Sequence, residues 1–274
     1  EAVGDGVPKD RIGQSVVVNA LLYGDDGDLL DAGLLGSERD GGFAEYVTVP
    51  TANAHPVSHR LSDAELATFP IAYLTALHML NRARLAAGEH VVVTGASGGV
   101  GTALVALAAA RGAVVTALTA RGQFDHAAGL GAAACLDRSE ALTAQRVRDA
   151  AGGAPDVIAD VVGGELFEPL FESLAPGGRF VTAGAIAGAR VTLDLRRLYL
   201  PHRELIGSTM GTQDEFVELV ELIDHGRLQP QLAGVWPLSR IHQAQRAFAD
   251  KAFAGKLVMV PDAVDTKTME ADNE

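Results

Sequence analysis

The strongest constraint on this chain is Val91-Val92-Val93-Thr94-Gly95-Ala96-Ser97-Gly98-Gly99-Val100-Gly101, an apolar β-branched run that breaks into a glycine-rich turn and opens a helix. The β-branched run favours a strand, and residues 102–111 (TALVALAAAR) follow with helix formers until Gly112 offers a stop. A tight turn of this kind needs positive φ. Small residues at Ala96, Gly98 and Gly101 let the backbone approach a phosphate and let the first helical turn pack on the strand. Free N–H groups at the helix start favour an anion. Ala96, Ser97, Gly98, Gly99, Val100 and Gly101 are therefore candidate contacts to a dinucleotide pyrophosphate. Glycines also punctuate ordinary turns, so context has to decide. Residues 114–118 (VVTAL) read as a second buried strand and complete a strand–helix–strand unit of about 30 residues.

The 274 residues suffice for one large or two ordinary domains, and 48% hydrophobic with 21% charged content suits a globular protein. No apolar run nears the ~18 residues of a membrane span, and no basic-then-apolar signal opens the chain, so the cytoplasm is the expected compartment. A formal net charge of −13 argues against nucleic acid or an anionic membrane as partner. With one cysteine, Cys135, neither an intrachain disulfide nor a cysteine-based zinc cluster can form. Cys135 sits in residues 132–136 (AAACL), a predicted third buried strand where a thiol acts as a small apolar group.

Residues 1–70 read as β-rich and irregular, with strands predicted at 15–19 (SVVVN) and 43–49 (FAEYVTV), the latter alternating like a half-buried strand. From about Ile71 helices and strands alternate, as in a parallel α/β sheet. Strands are predicted at 157–162, 179–183, 205–208 and 257–260, and helices at 140–151, 165–174 and 214–225. The last of these has apolar residues at Phe216, Val217, Leu219, Val220, Leu222 and Ile223, with acids on its outer face. Residues 262–274 are polar, acidic and aperiodic, and read as a disordered tail.

In units that bind NAD, a carboxylate about twenty residues after the glycines accepts the ribose hydroxyls. Here Thr119-Ala120-Arg121 occupies that place and no carboxylate follows until Asp125. Arg121 suits a bidentate contact to a 2′-phosphate, the alternative being an exposed turn residue. NADPH is thus the expected cofactor, ahead of NADH, with Thr119 and Arg121 at its adenosine end.

Several segments, in order, resemble the medium-chain dehydrogenase/reductase family, in its quinone-oxidoreductase and alcohol-dehydrogenase-like branch. They are residues 40–47 (DGGFAEYV), 73–80 (YLTALHML), the turn at 95–101, 160–164 (DVVGG), 176–179 (PGGR), 206–211 (IGSTMG) and 255–258 (GKLV). The resemblance implies a Rossmann-type doubly wound α/β domain over 71–209 and a partial GroES-like β-rich catalytic domain from 1–70 and 210–261. Relatives have further residues before the point matching Glu1, so the catalytic domain is expected to be N-terminally incomplete. By the same resemblance, Thr75, Val161, Val162, Gly184, Ala185 and Ile186 should line the cofactor. Tyr73 is a candidate acid or a packed core residue.

Zinc relatives carry a four-cysteine lobe where residues 23–35 stand here without cysteine, and a cysteine ligand where Ile71 or Ala72 stands. No zinc is therefore expected. His55 and His59 read as loop histidines because Pro56 breaks any helix aligning them, His78 as a packed helix residue, and Asp25, Asp26 and Asp28 as a solvated turn. The resemblance implies hydride transfer to a quinone or an activated C=C without metal, since conjugation spreads the developing charge. The alternatives are a zinc-type alcohol dehydrogenase with its remaining ligands upstream, or a non-catalytic nucleotide-binding module. A small-molecule substrate and a homodimer through the strand at 205–208 are also implied.

Overall fold

A computed structural model describes residues 1–23, 32–58, 61–250 and 253–262. Short strands open the chain: β1 (Val16–Val18), β2 (Leu21–Leu22), β3 (Gly33–Leu34) and β4 (Ala54–Pro56). β1 pairs antiparallel with β4 and β2 with β3. Asn53 ties them together, its amide donating to the carbonyls of Asn19 at 2.9 Å and Leu21 at 2.5 Å. Then come α1 (Asp63–Leu66), which Ser62 and Glu65 close with a capping box, and α2 (Pro70–Arg82). Nine successive residues of α2, Ala72 to Leu80, are buried.

From there strands and helices alternate: β5 (His90–Val93), α3 (Gly99–Ala110), β6 (Val114–Thr119), α4 (Phe124–Gly129), β7 (Ala132–Asp137), α5 (Ala144–Ala151), β8 (Val157–Asp160), α6 (Phe167–Ser173), β9 (Arg179–Thr182), α7 (Leu195–Tyr199) and β10 (Glu204–Gly207). The six strands form one parallel sheet in the order β10-β9-β8-β5-β6-β7. That is the doubly wound order, and it reverses between β5 and β8. A parallel sheet must be covered on both faces, and this one is. Val92, Leu118, Leu136, Ile158 and Phe180 pack under α5 and α6 with Phe167 and Phe171, while Val91, Val93, Val115, Ala117 and Val181 are buried on the alternate face. The chain ends with α8 (Gln213–Asp224), β11 (Leu232–Pro237), α9 (Ile241–Asp250) and β12 (Lys256–Val260), with β11 and β12 paired in parallel.

Two compact units result: residues 1–71, 216–226 and 230–274 form one, and 72–215 with 227–229 the other. Among the described residues no helix is long and apolar enough to cross a membrane.

The structure corrects several expectations. Residues 43–49 form no strand, and Phe43 and Tyr46 are exposed. Alternation specifies a strand only when a neighbouring strand supplies the ladder, and none is paired there. The helix expected from 140 begins at Ala144, where Thr143 caps it by accepting the Arg146 amide. The stretch expected to be helical from 165 starts as a 3-10 turn over Gly164–Leu166. β7 lies at the sheet edge, so Cys135 is only half-buried. His55 belongs to β4, opposite Val17, with its ring 4.8 Å from Phe216. Asp25, Asp26, Asp28, His59 and all but the first residue of the expected tail lie outside the described residues.

Candidate functional site

In doubly wound sheets ligands bind beyond the strand ends where the order reverses. Here that point holds the glycine turn after β5 and the loop after β8. Gly95 has φ +58°, and a Cβ on it would stand 3.1 Å from Val161 Cγ2 and 3.3 Å from Val162 Cγ2. At Gly101 a Cβ would fall 2.0 Å from the Gly95 carbonyl oxygen, so only glycine lets α3 start this close to the turn. The strict requirement thus falls on Gly95 and Gly101, whereas Gly98 has an ordinary extended backbone as the N-cap of α3.

Ala96 is fully buried and its amide donates to Leu118 O at 3.3 Å, so it shapes the turn and offers no donor. No side chain caps α3. The first-turn amides of Gly99, Val100 and Gly101 have no intrahelical acceptor, and Ser97, Gly98, Gly99 and Val100 reach the surface. A diphosphate fits this donor set.

β6 ends at Thr119, whose hydroxyl is buried and has no hydrogen-bond partner. Arg121 opens the following 3-10 turn with its side chain 73% exposed, donating from Nε to Asp137 Oδ2 at 3.1 Å and from a terminal nitrogen to Glu140 Oε1 at 2.9 Å. These hydrogen bonds, Asp137 first, raise the guanidinium above its ordinary pKa. Asp137 is in turn held below the usual carboxylate range, chiefly by the Ser139 amide and hydroxyl. Counting residues after the glycines misses these two carboxylates, because they arrive from the end of β7.

Val161 and Val162 are half-buried against the turn. Their loop is joined to the one after β9: Gly164 N donates to Gly188 O at 3.0 Å and Ala187 N to Val162 O at 2.9 Å. Gly184 is half-buried, while Ala185 and Ile186 are exposed, Ile186 by 78%. Thr75 is buried, with its hydroxyl 3.8 Å from Met210 Sδ. Tyr73 cannot serve as an acid: it is buried, and its hydroxyl donates to Gln229 O at 2.7 Å.

Two further carboxylates, one buried and one half-buried, escaped residue-by-residue reading. Asp160, 1% exposed, accepts from the Thr94 hydroxyl and from the Val162 and Gly163 amides. Glu215 sits against His78 Nδ1 at 2.8 Å and accepts from Asn81 Nδ2 at 2.8 Å and the Thr212 amide at 2.8 Å. Burial opposes its charge, yet the bonds from His78, Thr212 and Asn81 outweigh burial and hold its pKa at about 2. Among the described residues no three His, Cys, Asp or Glu side chains converge as metal ligands would.

A doubly wound sheet with a glycine turn at its switch point defines a dinucleotide-binding unit of the Rossmann type. The family signature described as "Zinc-binding dehydrogenase" matches residues 99–225. A solved Sinorhizobium meliloti 1021 structure, provisionally called an alcohol dehydrogenase, superposes with TM-score 0.92 at 50% identity over 95% of this chain and 73% of its own. An acryloyl-coenzyme A reductase from Metallosphaera sedula is 29% identical over 94% of this chain and 79% of its own length. The 2-octenoyl-CoA carboxylase reductase CinF, solved with NADP and 2-octenoyl-CoA, gives TM-score 0.85 at 25% identity over 91% of this chain and 63% of its own. The chain also spans 11% of the Streptomyces orinoci spectinabilin polyketide synthase system protein NorB, at 32% identity. The chain belongs to the medium-chain dehydrogenase/reductase family of NAD(P)-dependent oxidoreductases.

Proposed function

We propose that this protein binds NADPH and transfers its hydride to an activated C=C or to a quinone without metal. The observation that carries the reading is the guanidinium of Arg121 at the end of β6, where NAD-binding units hold an acid on the ribose. Thr119, Arg121 and the Gly99–Gly101 amides would hold the adenosine and diphosphate, with Ser97 and Gly98 lining it, and Val161, Val162, Gly184, Ala185, Ile186 and Thr75 the nicotinamide side. Residues 1–70 and 210–261 would form the GroES-like catalytic domain, and 71–209 the nucleotide domain. The NADP and enoyl thioester held by CinF and the alkene chemistry named for the Metallosphaera relative support the acceptor class.

NADPH supplies the hydride. The chain's own part is to fix the cofactor and to exclude water from the reacting face. Conjugation carries the developing charge to the acceptor's carbonyl oxygen, where a backbone amide can meet it.

A homodimer belongs to the same reading. Among the described residues β10 has no strand on its outer side, and Leu205 within it and Leu195, Tyr199 and Leu200 just before it in the chain are exposed. A second copy would cover this edge, which is otherwise open to aggregation. Light scattering should give twice the chain mass, and a monomer at micromolar concentration would contradict it.

The functional test is NADPH consumption with a panel of enoyl thioesters, enals and quinones, and NADP+ reduction with primary alcohols, with zinc content measured on the same sample. Turnover of the conjugated acceptors or quinones with little zinc supports the proposal. Stoichiometric zinc with alcohol turnover would replace it by the zinc-type alcohol dehydrogenase, and tight NADPH binding with no turnover by a binding module.

A further inference from the structure

The loop after β8 spends three consecutive amides inward. Val161 N donates to Thr94 Oγ1 at 3.0 Å, Val162 N to Asp160 Oδ1 at 3.1 Å and Gly163 N to Asp160 Oδ2 at 3.0 Å. The Thr94 hydroxyl itself donates to Asp160 Oδ1 at 2.7 Å. Thr94 immediately precedes Gly95, so this cluster joins the residue that begins the phosphate turn to the loop opposite it across the switch point. Both side chains are fully buried, and the carboxylate's partners are one hydroxyl and two backbone amides. Charge-assisted bonds of this kind are roughly twice as strong as neutral ones and hold their donors to a fixed geometry.

The constraint passes outward. With its amide drawn in, Val162 turns its carbonyl to the Ala187 amide, and Gly163 and Gly188 form a β-bridge. A Cβ on Gly163 would lie 2.7 Å from Gly188 O, and one on Gly184 2.8 Å from Val161 O, so the two loops pack backbone to backbone. Val161 and Val162 are thus tied to the Asp160 carboxylate and its Thr94 partner, and the loop carrying Gly184, Ala185 and Ile186 meets them through the backbone contacts between the two loops.

We infer that Asp160, acting through Thr94, is a positioning residue that sets the nicotinamide-side loops at a fixed distance from the phosphate turn. This rests on the dinucleotide reading above. The pair touches no reacting atom, so it governs where the nicotinamide lies and leaves the adenosine half to the turn and the end of β6.

The experiment compares the wild type with Thr94→Val, Thr94→Ser and Asp160→Asn, measuring affinity for NADPH and for 2′-phospho-ADP-ribose, which is NADPH without its nicotinamide. The emission of bound NADPH reports the ring's surroundings. Thr94→Val should leave 2′-phospho-ADP-ribose within twofold of wild type, weaken NADPH about tenfold and shift its emission. Thr94→Ser should restore both. Asp160→Asn should act in the same direction, and Thr94→Val stands alone as the test should Asp160→Asn not fold. Equal weakening of both ligands, or of neither, overturns the inference. A wild type that binds neither ligand overturns the dinucleotide reading instead.

Discussion

Replacing Glu215 by Gln removes the charge at the centre of a half-buried network while keeping its shape. Glu215 closes a capping box with Thr212 at the start of α8, the Thr212 amide donating to its carboxylate at 2.8 Å and its own amide to the Thr212 hydroxyl at 3.2 Å. It also binds His78 and Asn81 of α2. Its pKa falls from 4.5 to about 2. At 1.36 kcal/mol per unit, that shift corresponds to about 3 kcal/mol of linked stability. The side-chain amide introduced by Glu215→Gln retains part of the hydrogen bonding, so the expected loss at pH 7 is about 2 kcal/mol.

The folded pKa is depressed, so this stability is fully present above the unfolded value near 4.5 and disappears as pH falls toward 2. Urea unfolding followed by far-UV circular dichroism, on wild type and Glu215→Gln from pH 7 to pH 3, measures it directly. Asp194 and Asp137 are also held low and acidify both proteins alike, so the difference between the two curves isolates Glu215. The gap should shrink steadily below pH 4.5. A gap of equal size at pH 3 and pH 7, or none at pH 7, would refute the electrostatic account.

Three further outcomes follow from packing and burial. Gly101→Ala sets a methyl group 2.0 Å from the Gly95 carbonyl, and should abolish NADPH binding and cost about 1–3 kcal/mol, whereas Gly122→Ala, with nothing within 4 Å, should do neither; equal melting temperatures and affinities would contradict this. Phe180, fully buried 5.0 Å from the Phe167 ring, should cost about 3–5 kcal/mol as Phe180→Ala in denaturant unfolding, and a loss under 1 kcal/mol would show that the cluster is loosely packed. Burial, and secondarily Asp125, push the Cys135 thiol up, so a thiol reagent near neutral pH should label it more slowly than free cysteine until urea is added. Labelling as fast as the free amino acid would count against it.

What could be read from the chain follows the range of each interaction. The turn at Gly95–Gly101, β5 and α3 are written in adjacent residues, because φ, amide supply and strand-to-helix packing are local there. Residues 43–49 misled because a strand is made by its partner, and the alternation in FAEYVTV carries no information about one. Asp160 and Glu215 are different again: their meaning comes from Thr94, 66 residues away, and His78, 137 residues away. Thr212-Gln213-Asp214-Glu215 does carry the spacing of a capping box, a local signal that marks Glu215 as more than a surface acid. For Arg121 the local count identified the residue, but its anchoring by Asp137 needed the pairing of β6 with β7.

The central claim is that the turn after β5 and Arg121 together select NADPH. Dissociation constants of NADPH and NADH, measured on the wild type and on Arg121→Ala by quenching of Trp236 or by calorimetry, test it most directly. The account predicts that the wild type binds NADPH at least tenfold more tightly than NADH, and that Arg121→Ala removes this preference by weakening NADPH roughly 10–100-fold while leaving NADH unchanged. Equal affinities for the two cofactors in the wild type would contradict it.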